Sequence, residues 1–559
     1  MPEYAIGLDY GTNSARAIVV DVATGEEIVS AVADYPGGTD GVLLGDDPNL
    51  ARQDPRDYIT TAATALREAL QRAVADRPGF SPADVVGLGV DTTGSTPLPV
   101  DAEGTPLGLK PEFRKNLAAM AWLWKDHTAI AEAEEITDLA SQMRPEYLAK
   151  CGGTYSSEWF FAKILHCLRT SPAVFEATHT WVELADWIPA MLTGTEHPEG
   201  LVVNVCAAGH KAMYNDDWDG YPDAEFLGKL APELAELRSR LKDRAVTIGH
   251  VVGGLTGDWA DRTGLRAGIP VSAGAFDAHL GSVGAGIRPG TLVHTIGTSG
   301  CHMLVAPKDT DVPDIPGLCG IVPGSILPDM IGLEAGQSAV GDIYNWLVNV
   351  VRPCGDSGPL DHAELTERAA RLAPGASGLL ALDWNNGNRT ILVDQRLTGL
   401  LLGQTLHTTP AEIYRALIEA TAFGTLTIVE RFEEYGLHVE DLINIGGIAE
   451  KNPLVMQIYA DVLGRPMKIG QSSQACALGA AMAGAVAAGT HESFAAAQAA
   501  MSGVKDIAYY PNAAAHAVYR ELYGLYRTLH DAFGTTKQAG SLHGVMKQLL
   551  EIRARARTP

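Results

Sequence analysis

The chain has 559 residues and a formal net charge of −25, from 42 basic and 67 acidic residues. This length predicts two or three domains, and a hydrophobic content of 46% provides enough apolar material for their cores. The acidic balance excludes a duplex nucleic acid as partner, because the phosphate backbone would be repelled.

The cysteines and the apolar segments indicate a cytoplasmic protein. Seven cysteines, an odd number, occur without any CxxC spacing, which favours reduced thiols over disulfides or a zinc site. The N-terminus lacks the charged and apolar regions of a signal peptide. Residues 475–489 are too short and too rich in alanine to cross a bilayer and predict a closely packed buried helix. We expect no membrane association, and homo-oligomerisation stays open.

The first predicted strand, which contains Ile6 and ends at Asp9, runs into a loop of glycine and small hydroxyl residues, which contains Gly11, Thr12, Asn13 and Ser14 and is followed by Arg16. A similar loop, Gly297, Thr298 and Ser299, follows a second predicted strand at residues 293–296. Glycine allows close backbone approach, and hydroxyl and N–H groups donate hydrogen bonds, so each loop suits phosphate oxygens. Two such loops predict a duplicated fold that holds one nucleotide from both sides.

The elements of the first half alternate between strands and helices, which is typical of the α/β class with mixed sheets flanked by helices. A strand meander at 4–35 has a turn at Gly25 and precedes an amphipathic helix at 55–74. A continuous apolar run at 85–90 predicts a strand buried on both faces. Residues 122–195 are rich in helix signals.

A second domain is expected to begin with a new strand near Ile269. We therefore place the domains at residues 1–267 and 268–559. The elements expected in the second domain are helices at 334–350 and 410–435, a strand-loop-helix unit at 442–463, and capping helices within 511–559.

Two aspartates stand where predicted strands end. Asp9 closes the first strand, and a water-mediated contact with Mg²⁺ on ATP would give it a partner. The alternative is that it caps the turn. Asp277 lies between two glycine-rich elements and is our candidate for the general base of phosphoryl transfer. A helix N-cap is an equally good interpretation from the sequence alone.

Four further residues are candidates for ligand binding. Glu334 and Lys211, each among small residues, are candidates for binding sugar hydroxyls, and the alternative for each is a surface salt bridge. Gly446 and Gly447 follow a strand and precede a helix, so an adenine ring could lie against their backbone. A plain strand-turn-helix connection is the alternative there.

Two other nucleotide-binding motifs do not occur. The sequence contains no GxxxxGK[ST] motif, and the candidate GxGxxG that starts at Gly87 has Thr92 in place of the third glycine.

In this order, the motifs resemble those of the FGGY carbohydrate kinases, which belong to the actin-like ATPase superfamily. The resemblance covers nearly the whole chain and rests on the segments 7–12, 297–299, 446–447 and 399–419 and on Asp277 in its strand-helix turn. It implies two actin-like (ribonuclease H-like) domains with mixed sheets flanked by helices, and an active site in the interdomain cleft. It also implies that ATP and Mg²⁺ are the cofactors.

The resemblance implies a role for each candidate residue. Asp277 would be the general base and, with Asp9, would hold Mg²⁺ through water. The sugar would be held by Lys211, Glu334, Gly94 and Ser95, with Trp124 and Asp126 shaping the pocket. The nucleotide would be held by Gly11, Thr12, Asn13, Ser14, Arg16, Gly297, Thr298 and Ser299 at its phosphates and by Gly446, Gly447 and Asn452 near adenosine.

Within the family, segments 89–97, 123–128, 155–160, 209–211 and 332–338 resemble the members that phosphorylate ketopentoses. The expected partners are ATP and a small sugar, with L-ribulose as the best substrate. D-ribulose, xylulose or another polyol remain alternatives of the same class. An actin-fold ATP sensor is the alternative of a different class, and Asp277 argues against it, because a sensor needs no carboxylate facing the transferred phosphoryl group.

Overall fold

The fold is built on two seven-stranded mixed sheets, one in each half of the chain. The computed structural model describes residues 2–355, 358–536 and 542–557. Both sheets are flanked by helices, so the expected fold class is confirmed. Within the described residues, no helix is both long and apolar enough to cross a membrane. All seven cysteines lie in described segments and are free thiols.

The first half contains eleven strands and eleven α-helices. The strands are β1 (Tyr4–Tyr10), β2 (Ser14–Asp21), β3 (Glu27–Asp34), β4 (Arg52–Gln53), β5 (Val85–Thr92), β6 (Pro97–Val100), β7 (Ala121–Trp122), β8 (Thr180–Glu183), β9 (Val251–Gly254), β10 (Pro270–Ser272) and β11 (Ala275–Phe276). The helices are α1 (Pro55–Asp76), α2 (Ile130–Met143), α3 (Pro145–Ala149), α4 (Phe160–Thr170), α5 (Pro172–Ala177), α6 (Leu184–Thr193), α7 (Val205–Lys211), α8 (Ala224–Leu230), α9 (Pro232–Arg238), α10 (Gly257–Thr263) and α11 (Asp277–Gly284).

The described part of the second half contains eleven strands and nine α-helices. The strands are β12 (Thr291–Ile296), β13 (Gly300–Pro307), β14 (Gly320–Pro323), β15 (Met330–Gln337), β16 (Cys354–Gly355), β17 (Gly358–Pro359), β18 (Leu380–Leu382), β19 (Leu400–Leu402), β20 (Asp441–Ile445), β21 (Met467–Gly470) and β22 (Val504–Tyr509). The helices are α12 (Gly341–Asn345), which continues as a π-helix over Trp346–Val351, α13 (His362–Ala370), α14 (Pro410–Glu434), α15 (Gly447–Lys451), α16 (Pro453–Leu463), α17 (Ala475–Ala487), α18 (Phe494–Met501), α19 (Ala513–Gly534) and α20 (Val545–Arg557).

The two sheets share the same central pattern. In the first, β1 pairs antiparallel with β2 and parallel with β5. In the second, β12 pairs antiparallel with β13 and parallel with β20. Each phosphate-loop candidate connects the two antiparallel strands of its sheet, and in each sheet a parallel strand ends beside it. This repetition agrees with the duplicated fold expected from the two loops.

Helix α17 packs against the first sheet through glycines rather than through side chains. A Cβ at Gly7 or Gly89 would overlap the carbonyl oxygen of Ala477 or Ala480, respectively. Because these strand positions have no side chain, the α17 backbone lies directly on β1 and β5. The expected closely packed helix at 475–489 is therefore observed, over Ala475–Ala487.

The predicted domain boundary at 267/268 stays a prediction, and the strand pairing favours a later position. Strands β10 and β11 follow residue 268, yet both pair with β5 of the first sheet. The glycine-rich segment before them resembles a linker in composition but leads into the same sheet. Because the second sheet starts with β12, we propose that the boundary lies between α11 and β12.

The helix predicted at 334–350 is wrong for its first part. Residues 330–337 form β15, which is buried between β13 and β14, and α12 begins only at Gly341. The other long helices lie where expected: α1 starts at Pro55 after Asp54, whose side chain accepts a hydrogen bond from the Arg56 N–H, and α14 covers Pro410–Glu434. Helices α19 and α20 pack on the core of the second half, as expected.

Substitution of Gly89 by alanine tests the close contact of α17. We expect Gly89→Ala to lower the free energy of unfolding by about 1–3 kcal/mol or more, because the new methyl group forces helix and sheet apart. The control is Gly524→Ala in α19, where a Cβ meets nothing within 4 Å. This variant should raise the free energy of unfolding by roughly 0.5–1 kcal/mol. Equal urea midpoints for the two variants would contradict this packing.

Candidate active site

A cavity of about 230 Å³ lies between the two halves of the chain and is lined by residues of both. Ten of the residues predicted from the sequence line it, namely Thr12, Gly94, Ser95, Trp124, Lys211, Asp277, Gly297, Thr298, Ser299 and Glu334. The candidates for the base, the sugar contacts and both phosphate loops thus meet in one place.

Three carboxylates meet where the strands of the first sheet end. Asp9 and Asp91 are register partners on the parallel strands β1 and β5. Strand β11, which leads into Asp277, pairs with the end of β5, with Ala275 opposite Asp91. Arg16, on β2, approaches Asp9 with 3.1 Å between Nη1 and Oδ2. Asp277 is the first residue of α11, where Phe276 occupies the capping position, so the N-cap interpretation of Asp277 does not describe it.

Burial raises the pKa of each of these carboxyl groups. For Asp277 burial and the nearby charge of Asp9 raise the pKa to about 7, although its Oδ1 accepts a hydrogen bond of 2.6 Å from the Ala278 N–H. The pKa of Asp91 lies well above its usual range because of burial and the charges of Asp9 and Asp277. Neither oxygen of Asp91 has a hydrogen-bond donor among the described residues. The cluster therefore has unused capacity for a proton or a cation.

Lys211 and Glu334 form a buried ion pair across the cavity. Lys211 ends α7 and Glu334 lies in β15, and the lysine Nζ is 3.0 Å from both carboxylate oxygens. Burial alone would raise the pKa of Glu334, but Lys211 and the imidazoles of His210 and His279 hold it well below its usual range. Burial alone would lower the pKa of Lys211, and Glu334 outweighs this effect. Both groups are therefore charged inside the cavity, and neither is a surface salt bridge.

The loop with Gly94 and Ser95 is held from behind by a buried lysine. Lys163 Nζ donates to the Ser95 carbonyl oxygen at 2.6 Å and to the carbonyl oxygens of Trp122 and Leu123 at 3.2 and 3.0 Å. These bonds join the Gly94–Ser95 loop to the segment that carries Trp124. The loop is therefore rigidly placed at the cavity wall.

Of the first phosphate loop, Thr12 alone among its four predicted residues lines the cavity. Its Oγ1 accepts a hydrogen bond of 3.1 Å from Trp124 Nε1. Gly11 and Ser14 close the turn through a backbone hydrogen bond of 3.0 Å, and Asn13 accepts one from the Tyr35 N–H. The loop geometry is thus set by Gly11, Asn13 and Ser14, and Arg16 faces Asp9.

The second candidate phosphate loop is held by hydrogen bonds from the start of α12. The carbonyl oxygen of Thr298 accepts backbone hydrogen bonds from Val340 and Asp342, and that of Gly297 accepts one from Gly341. A Cβ at Gly297 would have only one neighbouring atom, 3.9 Å away, so the space beside it is open. The free side of this loop faces the cavity.

The adenosine candidates lie beside this loop and outside the cavity lining. Gly446 follows β20, the parallel neighbour of β12, and has a φ of 95°, which favours glycine. Gly447 starts α15 and has no atom within 4 Å of an added Cβ, which leaves its surface open. Asn452 caps α16 by accepting a hydrogen bond from the Val455 N–H at 3.2 Å. Gly446 and Gly447 thus continue the second loop, and Asn452 has a structural role.

Asp126 is the predicted sugar residue that the structure places elsewhere. It is fully buried and does not line the cavity. Its Oδ2 pairs with Arg52 and accepts a hydrogen bond of 2.7 Å from the Ala51 N–H, and its Oδ1 accepts one from Thr128 Oγ1. We therefore assign Asp126 to the stability of the segment that precedes the site.

The residues of the site that the sequence interpretation did not assign include Asp91, His279, Glu158 and Arg389. Asp91 ends its strand as Asp9 does, and that shared position was the available signal. His279 follows Asp277 by two residues and lines the cavity. Glu158 and Arg389 also line it. Glu158 lies in segment 155–160, one of those that resemble ketopentose kinases, whereas Arg389 carries no local sequence signal.

Comparison with known proteins identifies the family. The model of the N-terminal domain of the FGGY family of carbohydrate kinases matches residues 4–284, and that of the C-terminal domain matches residues 292–488. The chain belongs to the FGGY family of carbohydrate kinases. It is therefore an ATP-dependent sugar kinase, as its motifs predicted.

Full-length relatives and solved structures agree with this assignment. A ribulokinase of Geobacillus thermodenitrificans is 43% identical, with 99% of this chain and 98% of the relative covered. A ribulokinase of Mycolicibacterium smegmatis is 41% identical over 99% of this chain and 97% of its own. The crystal structure of a xylulose kinase from Rhodospirillum rubrum has a TM-score of 0.74 at 24% identity, covering 95% of this chain and all of that one (100%), and shows the same fold.

Asp126→Asn tests the structural assignment of this residue. Removing one charge of a buried pair lowers the free energy of unfolding by about 3–5 kcal/mol. The urea midpoint should therefore fall, while the KM for sugar stays near that of the parent. Asp138→Asn, at an exposed carboxyl on α2, is the control and should change neither quantity. A normal midpoint combined with a raised sugar KM would return Asp126 to the sugar site.

Proposed function

We propose that the chain transfers the γ-phosphoryl group of ATP to the terminal hydroxyl of L-ribulose, giving L-ribulose 5-phosphate and ADP. This reaction would serve the catabolism of L-arabinose. The observation that carries the proposal is the cavity in which Asp277, the Lys211–Glu334 pair and the second phosphate loop meet. The similarity to ribulokinases over nearly the whole chain supports the choice of sugar.

The polar groups of the cavity suit a polyhydroxylated substrate. Lys211 offers N–H donors, Glu334 offers acceptors, and the Gly94–Ser95 loop adds backbone groups. A sugar that lacks or inverts one hydroxyl would leave a buried group unpaired, at roughly 1–3 kcal/mol for each. Such a site discriminates between pentuloses by the hydrogen bonds that it can complete.

The carboxylate cluster fits a magnesium ion that arrives with ATP. Asp91 has two buried oxygens without donors among the described residues, and oxygen ligands are those that Mg²⁺ prefers. Asp9 and Asp277 would hold the ion, through water, with Asp91 beside them. When bound, the ion would neutralise charge on the transferred phosphoryl group.

We infer that Asp277 acts as the general base. Its carboxylate would accept the proton of the terminal hydroxyl as that oxygen attacks the γ-phosphorus, while the bond from the γ-phosphorus to the bridging oxygen breaks and ADP departs. The donors of the Gly297–Ser299 loop would hold the phosphate oxygens. Closing the cleft would exclude water and limit wasteful hydrolysis of ATP.

The pH profile and a single substitution test the base. Because burial raises the pKa of Asp277 to about 7, kcat/KM should fall about tenfold per pH unit below that value, as the carboxylate takes up its proton. Asp277→Asn should reduce kcat by about 10²–10⁴-fold. Asp258→Asn, at an exposed carboxyl in the first turn of α10, is the control. A kcat near that of the parent in Asp277→Asn would remove this residue from the base role.

A sugar panel tests the substrate. With saturating ATP–Mg²⁺ and a coupled assay of ADP release, kcat/KM should be highest for L-ribulose, with D-ribulose second. Xylulose, gluconate and glycerol should be poorer, because each leaves buried hydrogen-bonding groups of the cavity unpaired. If one of these three exceeds L-ribulose, the substrate assignment fails while the kinase assignment stands.

A further inference from the structure

Glu158 and Arg389 form a second ion pair across the cleft. Glu158 lies two residues before α4 in the first half, whereas Arg389 lies between β18 and β19 in the second. Arg389 Nη2 donates to Glu158 Oε1 at 3.1 Å, and both residues line the cavity. The two side chains are 16% and 13% exposed. The pair is therefore part of the sugar cavity, yet neither residue has a role in the phosphoryl-transfer steps described above.

The pair lies at the end of the cavity away from the carboxylate cluster. Lys211 Nζ lies 5.5 Å from the ring centre of Trp159, the neighbour of Glu158 in the chain, and 5.9 Å from that of Phe276, the neighbour of Asp277. The Lys211–Glu334 pair thus stands between the two groups. His127 Nε2, 3.8 Å from Glu158 Oε1, lines a separate outer groove, so Glu158 and Arg389 separate the cavity from that groove.

Arg389 retains donor capacity in this wall. A guanidinium has five N–H donors. The Nε of Arg389 is buried and has no hydrogen-bond partner among the described residues. Burial of an unpaired donor is unfavourable unless a ligand accepts a hydrogen bond from it. A polyhydroxylated chain that extends from Asp277 past Lys211 and Glu334 would bring its far hydroxyl and carbonyl groups to this donor.

We propose that Glu158 and Arg389 bind the end of the sugar that lies farthest from the phosphorylated hydroxyl, and so select acceptors by chain length. The inference rests on the proposed function for the identity of the sugar. A ketopentose places its carbonyl and hydroxymethyl groups at this wall. A three-carbon acceptor bound at Asp277 is too short to reach this wall, so it leaves the Glu158–Arg389 pair without a ligand.

The test compares long and short acceptors in matched variants. We would measure kcat and KM for L-ribulose, glycerol and ATP in Arg389→Gln, Arg389→Lys and Glu158→Gln. The control is Arg396→Gln, in the same loop, whose side chain is 82% exposed and does not line the cavity. Calorimetric titration with L-ribulose gives sugar affinity independently of turnover, and thermal melting checks folding.

The expected result is selective loss for the long acceptor. Arg389→Gln and Glu158→Gln should raise the KM for L-ribulose about 10–100-fold, with kcat, the KM for ATP and turnover of glycerol nearly unchanged. The KM of Arg389→Lys for L-ribulose should lie between that of the parent and that of Arg389→Gln, because an ammonium restores the charge without the second donor position. The control should behave as the parent.

Three outcomes would overturn the inference. They are an unchanged KM for L-ribulose, an equal loss for L-ribulose and glycerol, and an equal rise in the KM for ATP. If Arg389→Gln fails to fold, the same measurements on the isosteric variant Glu158→Gln decide whether the inference stands. If the parent does not phosphorylate L-ribulose, the proposed substrate is wrong, and the same comparison between its best pentose and glycerol still tests the pair.

Discussion

The direct contact between α17 and the first sheet is the constraint on which the site depends. Gly7 and Gly89 leave room for the helix backbone, and Gly284 and Gly479 allow α11 to approach α17 in the same way. Helix α11 also contacts β12 and β13 of the second sheet. The two sheets are therefore joined through two small-residue helices. This arrangement places the start of α11, and with it Asp277, at the ends of β1 and β5.

The same packing explains the electrostatics of the site. Asp9, Asp91 and Asp277 are drawn together because their elements are neighbours, and the surrounding core removes them from water. Desolvation disfavours the charged form of a carboxyl group, so the pKa values rise. Such a cluster is unfavourable for the empty protein and becomes favourable when a proton or a cation is supplied. The cost of burial is thus part of the preparation for ligand binding.

Local sequence signals predicted the parts of the site that lie at strand ends. The loops after β1 and β12 and the glycines after β20 combine apolar strands with residues that suit tight turns, so their positions follow from local patterns. Asp91 was missed because its importance depends on the parallel register with Asp9, which no local pattern determines. Asp126 was misplaced because its partner, Arg52, is distant in the sequence.

The errors in the fold have the same origin. The sequence at 334–337 predicts the start of a helix, but its position between β13 and β14 makes it a buried strand. The glycine-rich segment before β10 has the composition of a linker, and only its pairing with β5 shows that it belongs to the first sheet. Tertiary neighbours override weak local preferences at both places.

Both ion pairs of the cavity join residues that are far apart in the sequence and lie in different halves of the chain. Lys211 and Glu334 are separated by 123 positions, and Glu158 and Arg389 by 231. The first half therefore supplies one lysine and one carboxylate, and the second half supplies the complementary charges. Each buried pair therefore needs both halves of the chain, because neither half contains both partners.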